Sequence, residues 1–153
     1  RLQSNASHVL LRSVEPSISG KFSCEVSADA PSFHTEIADA PLEVVELPKQ
    51  LPVITGIQPR YRQGDAIRGN CTSFNSKPVA NLTWMINDVA ATWNVLRLHT
   101  PIKNLTTNLE TTTLELNLLA ANNYFNNSRG RLKLKCLAKI HNIYEEAAER
   151  VVE

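Results

Sequence analysis

The sequence predicts an all-β protein built as a sandwich of two sheets, and three observations carry that reading. Apolar and polar residues alternate over short segments. Pro, Gly, Asn and Ser punctuate those segments, and long helical periodicity is nearly absent. At 153 residues there is room for one large domain, or for one complete small domain and a piece of another. The hydrophobic fraction of 42% supplies a packed core, not a disordered tail.

Taken in order, "HVLLRSV" sets Val9 and Leu11 on one face, with Val14 following, and reads as a first strand. "KFSCEV" alternates Phe22, Cys24 and Val26 against Lys21, Ser23 and Glu25, one side dry and one wet. "TEIADAPLEVVEL" is a further extended stretch, whose Pro41 suits an edge or a bulge because proline cannot donate to a ladder. In "LPKQLP", Pro48 and Pro52 favour extended, semi-rigid backbone, so 48–52 reads as a linker between a first unit, 1–47, and a second, 53–153.

After the linker the alternation restarts. "DAIRGNCTS" puts Ile67, Gly69 and Cys71 on one face, and "NLTWMIND" turns Leu82, Trp84 and Ile86 inward. "TTTLELNL" does the same with Leu114, Leu116 and Leu118. "RLKLKCLAKI" is the clearest strand, with Leu132, Leu134, Cys136, Ala138 and Ile140 on its dry side. "AANNYFNNSRG" reads as a turn-rich connection. The last segment, 143–153, stays open between strand and helix, since Glu146 and Arg150 also have helix-compatible spacing.

Cys71 and Cys136 lie 65 residues apart, each at the centre of an inward set, and Trp84 follows the first by thirteen. This Cys…Trp…Cys spacing is that of the immunoglobulin sandwich, in which a disulfide joins the B and F strands and the C-strand tryptophan lies against it. Cys24, in its own alternating strand, matches the F strand of a preceding immunoglobulin domain. Its B-strand partner is then expected about 50 to 80 residues upstream, before Arg1. The chain would thus hold strands E, F and G of a first domain and a nearly complete second one. The rival reading of Cys24 is a reactive or intermolecular thiol. Phe22 and Leu134 stand where an F strand commonly carries the corner tyrosine, so neither domain can make that hydroxyl-to-backbone bond.

Several function classes are disfavoured. A net charge of +1, with both signs spread along the chain, lacks the concentrated basic face that nucleic acid requires. No apolar run approaches the roughly 18 residues of a membrane helix. His8, His34, His99 and His141 never fall at metal-ligand spacing, and no nucleophile elbow or phosphate loop occurs, so neither catalysis nor a cofactor nor a small-molecule substrate is expected. Five N-x-S/T sequons, at Asn5, Asn70, Asn81, Asn104 and Asn126, point instead to a secretory glycoprotein.

The stretches "SGKFSCEVSADAPSFHTEIADAPLEVVELP" and "YRQGDAIRGNCTSFNSKPVANLTWMIN" closely resemble the beaten path (Beat) family of arthropod neuronal immunoglobulin proteins. The "DAPSF" turn, the "VVELP" exit and the block from "NCTS" to "LTWMIN" carry the resemblance. It runs from about Val9 to Asn87 and more weakly through "RGRLKLKCLAKI". It implies a variable-like first and a constant-like second immunoglobulin domain in a secreted or membrane-anchored protein. It further implies a role in axon guidance and synaptic partner choice, through binding of Sidestep-family immunoglobulin receptors by the first domain.

Two surfaces remain open to more than one reading. Phe33 and His34, in the turn "SADAPSFH", fall where variable-type domains place recognition loops. Phe33 is either an exposed anchor or folded back under its own loop. The stripe Arg131, Lys133, Lys135 and Lys139 either meets a sulfated glycan or acidic partner, or is a solvated face offset by Glu145, Glu146 and Glu149. The second domain, with four of the five sequons, also suits a spacer with no partner surface of its own.

Overall fold

The computed structural model describes residues 3–125 and 129–153. The chain divides after Glu46 into two compact units, Arg1–Glu46 and Leu47–Glu153.

The first unit is organised around one antiparallel pair, β1 (Gly20–Ser27) and β2 (Thr35–Leu42). Its register sets Phe22 opposite Ala40 and Cys24 opposite Ala38 on one face, with Ser23 opposite Asp39 on the other. The alternation in "KFSCEV" therefore yields the dry and wet sides it predicts. None of the described residues of this unit is buried. A two-stranded sheet has no second layer to cover its apolar side.

The strand expected over Val9–Val14 does not form. That segment is irregular: Leu10 N–H donates to Ser4 Oγ at 2.8 Å, and Asn5 Oδ1 accepts the N–H groups of Ser7 and His8. Its backbone groups are met locally in this way, and it joins neither edge of the β1–β2 pair. Within the extended stretch after Thr35, pairing with β1 ends at Leu42. Pro41 sits in the ladder opposite Lys21, on a strand with a single neighbour, and not in a bulge.

The second unit is a sandwich. In chain order it contains β3 (Val53–Thr55), β4 (Ala66–Ser76), β5 (Asn81–Ile86), β6 (Val89–Ala90), β7 (Leu96–Leu98), β8 (Ile102–Lys103), β9 (Glu110–Leu119), α1 (Asn122–Phe125), β10 (Leu132–Ile140) and β11 (Tyr144–Val152). One sheet runs β3-β4-β9-β7, with β8 also on β9; the other runs β11-β10-β5-β6, and every pairing is antiparallel. This is the A-B-E-D and G-F-C layout of a constant-type immunoglobulin domain, with a short extra strand beside C.

The alternating sets supply both inner faces. Ile67 and Cys71 on β4, Trp84 on β5, Leu114 and Leu116 on β9, and Leu132, Leu134 and Cys136 on β10 are all fully or almost fully buried. Each large aliphatic side chain so buried contributes about 1.5–3 kcal/mol relative to an exposed position. The last segment is a strand: Leu132 faces Val152 and Ile140 faces Tyr144, which carries Val152 into the core at 1% exposure. The open edge of β10 wins over the weak helical preference of Glu146–Arg150. The connection after β9 is not wholly irregular. It contains the short helix α1, whose Tyr124 and Phe125 lie against the core.

Candidate recognition surfaces

In the first unit the β1–β2 loop is tied across its base by Ala28 N–H donating to His34 O at 2.7 Å, and within it by Phe33 N–H donating to Asp29 O at 3.3 Å. Phe33 sits at φ +42° and is 73% exposed, so its ring projects from the loop and is not folded beneath it. His34 Nε2 lies 2.5 Å from Glu36 Oε1, with both side chains exposed. On the wet face Ser23 Oγ donates to Asp39 Oδ1 at 2.5 Å, and Lys21 Nζ is 3.1 Å from Asp39 Oδ2. The Ser23 hydrogen bond, then Lys21, holds the Asp39 carboxyl below the usual carboxylate range.

The dry face of the same hairpin is a groove of about 590 Å³, lined among others by Val9, Leu11, Phe22, Cys24, Ala38 and Ala40. Cys24 is a free, exposed thiol on its floor. The hairpin β10–β11 repeats this design: Cys136 faces Ala148 there as Cys24 faces Ala38 here. In the second unit, however, the opposite sheet covers the cysteine.

There Cys71 and Cys136 form a disulfide with Cα atoms 6.3 Å apart. Trp84 is fully buried beside it, and its Nε1–H donates to Leu114 O at 2.9 Å. Leu134, in the corner-tyrosine position, is fully buried and purely apolar, whereas Phe22 in the first unit is 41% exposed.

Each member of the basic stripe has an acidic residue opposite it or in reach. Lys135 faces Glu149 and Lys139 faces Glu145 across the β10–β11 ladder. Glu146 is out of this set, because it faces Ala138. Lys133 instead reaches back to Asp88, Nζ to Oδ1 2.9 Å, and Arg131 Nε lies 3.4 Å from Glu153 Oε1. The hydrogen bond from Lys133 holds the Asp88 carboxyl below its ordinary range, and Asp88 correspondingly raises the Lys133 ammonium. Asp88 is placed there by the two-residue turn between β5 and β6, where Asn87 (φ +48°) and Asp88 (φ +66°) supply the left-handed pair of a tight hairpin. Asp88 was not singled out in the sequence, although Asn-Asp after "LTWMI" is a hairpin signal.

Trp93, 76% exposed in the connection after β6, is a further large aromatic on the surface that alternation could not mark, since it lies outside any strand. Of the sequons, Asn70 projects from the outer face of β4, Asn81 opens β5 opposite Lys139, and Asn104 lies in the turn after β8; these and Asn5 are exposed. Asn126 lies outside the described residues. Among the described residues no three His, Cys, Asp or Glu side chains gather as a metal site, and no helix is long and apolar enough to cross a membrane.

No protein-family model matches the chain, and no curated protein does. Solved structures do. The crystal structure of Rst D1-D2 is similar over 92% of this chain, with a TM-score of 0.63 and 22% identity. The structure of ICOS in complex with ICOS-L and an anti ICOS-L VNAR domain is similar over 90%, with a TM-score of 0.56 and 15% identity. This chain spans 65% of the first and 60% of the second. The class that fold and site define is an immunoglobulin-like β-sandwich protein with one internal disulfide.

Proposed function

We propose that the chain is part of an extracellular recognition protein of the Beat type, which binds Sidestep-type immunoglobulin receptors in axon guidance and synaptic partner choice. In this reading β1 and β2 are the F and G strands of a variable-like first domain. The observation that carries it is Phe33: a large apolar ring 73% exposed in the loop of the F–G hairpin, where such domains present contacts. The secretory setting rests on the disulfide and on the exposed sequons. The compensated basic stripe favours a solvated face over glycan binding.

A second reading is a spacer. Asn70 and Asn81 open outward from opposite sheets of the second domain, so glycans there would keep both broad faces from protein contact.

The test is binding of the chain to a panel of Sidestep-type ectodomains, beside a version extended upstream through a B strand, each with and without Phe33→Ala. Binding by the extended form that is weakened by Phe33→Ala supports recognition through the first domain. Binding by neither form leaves the spacer.

A further inference from the structure

We infer that folding sorts the sequons of the second domain by when they can be glycosylated. Asn104 remains an acceptor in the folded domain, whereas Asn70 accepts a glycan only before Cys71 and Cys136 join. Oxidation and glycosylation therefore compete at Asn70. The inference rests on the secretory reading above and concerns the order of events on that route.

The sequon Asn70-Cys71-Thr72 occupies the middle of a central strand. Asn70 faces Thr55 on one side and Glu115 on the other; Cys71 faces Ile54 and Leu114; Thr72 faces Val53 and Thr113. All three residues are thus in ladders on both sides. The middle one is fully buried in the disulfide, and the hydroxyl of the third is 3.0 Å from Thr113 Oγ1. A transferase must draw an acceptor tripeptide into its own cleft. Drawing out this one means removing β4 from the sandwich, which is opening on the scale of the whole domain.

Asn104-Leu105-Thr106 differs at every point. It lies in the turn between β8 and β9, and Leu105 is 93% exposed. Asn104 Oδ1 accepts the N–H groups of Thr106 at 2.9 Å and Thr107 at 3.3 Å, bonds made within the turn itself. Local opening of such a turn requires no strand to leave its sheet. Asn81-Leu82-Thr83 is intermediate, at the start of β5 and paired only with β10.

The chemistry at each sequon is one substitution. Nδ2 forms a bond to C1 of a lipid-diphosphate-linked oligosaccharide, the C1–O bond to the diphosphate breaks, the lipid diphosphate leaves, and one amide proton is lost. The competing step joins Cys71 Sγ to Cys136 Sγ; two electrons and two protons pass to a disulfide-bearing oxidoreductase, which becomes a dithiol. A chain glycosylated first still folds, because Asn70 points off the outer face. A chain oxidised first stays bare at Asn70.

The full chain, carrying a cleavable secretion signal, is translated into microsomes with and without dithiothreitol. Occupancy is then read at each sequon by mass spectrometry after enzymatic deglycosylation. Asn70 occupancy rises with reductant and in Cys136→Ser, does not respond to Cys24→Ser, and Asn104 occupancy holds throughout. Unchanged Asn70 occupancy, a parallel rise at Asn104, or no glycan at either site overturns the inference. As a second measurement, the folded, oxidised, unglycosylated chain is offered to purified oligosaccharyltransferase: Asn104 is modified and Asn70 is not. Equal modification of both overturns it as well. The signal is imposed in the first experiment, so its outcome is independent of whether the natural protein is extracellular, which the receptor-binding test addresses separately.

Discussion

The indole N–H of Trp84 donates to the carbonyl oxygen of Leu114 at 2.9 Å, across the core of the second domain. Trp84 faces Cys136 in one sheet and Leu114 faces Cys71 in the other, so this hydrogen bond and the disulfide tie the same two pairs of neighbours together. Removing either tie weakens the sandwich by a different mechanism. Trp84→Phe leaves a void and removes this cross-core hydrogen bond, and is expected to cost about 1–3 kcal/mol. Replacing both cysteines by alanine frees a loop of 65 residues and costs about 4 kcal/mol in the chain-entropy model. Urea unfolding of the second domain measures both; a change in Trp84→Phe below the error of the fit would show that the bond is immaterial.

Gly69 is required by a close approach. A Cβ there would lie 2.4 Å from Ile57 Cδ1, 2.8 Å from Ile57 Cγ1 and 3.1 Å from Thr55 O. Gly69→Ala is therefore expected to destabilise by about 1–3 kcal/mol through overpacking. In an Ile57→Ala background the penalty should shrink, because the clashing atoms are gone. A double-mutant cycle by thermal or urea unfolding reads the coupling. Strict additivity would mean that the clash with Ile57 is not what the glycine avoids.

Cys24 is a free, exposed thiol, while Cys71 and Cys136 are fully buried and joined. A maleimide added to the native chain should label Cys24 alone, and the other two should react only after reduction and unfolding. Native labelling at three positions, or at none, would contradict the pairing.

The Asp88–Lys133 pair makes a prediction about pH. The folded carboxyl titrates lower than in the unfolded chain and the folded ammonium higher. The contribution of Asp88 is thus present above the unfolded carboxylate value, about 3.9, and is lost as pH falls through the lower folded one. That of Lys133 is present below about 10.4 and is lost as pH rises through its higher folded value. The pair is exposed, so the effect on stability is small. An NMR titration of the Asp88 carboxyl should show a lower midpoint in the native chain than in Lys133→Met; equal midpoints would remove Lys133 as the cause.

Much of the second domain was legible because a period of two is a local property. Ile67, Gly69 and Cys71, or Leu132, Leu134 and Cys136, declare their buried side from the pattern alone, and those faces are buried in the structure. The cysteine spacing with Trp84 then placed three strands in two sheets. Segments whose conformation depends on a neighbour were not legible. Val9–Val14 has the alternation of a strand, yet it joins neither β1 nor β2, and it remains irregular.

The candidate surfaces divide in the same way. The sequence alone determined which residue types are on hand: an F–G turn with Phe33 and His34, a row of lysines, an unmatched Cys24. Only the tertiary structure decided what each does. It turned Phe33 outward, set Glu145 and Glu149 rather than Glu146 against the lysines, and brought Asp88 to Lys133 from a turn 45 positions earlier in the chain. The physical reason is that alternation assigns a side chain to one of two faces, whereas register along a strand and reach across a sheet are set by the partner strand.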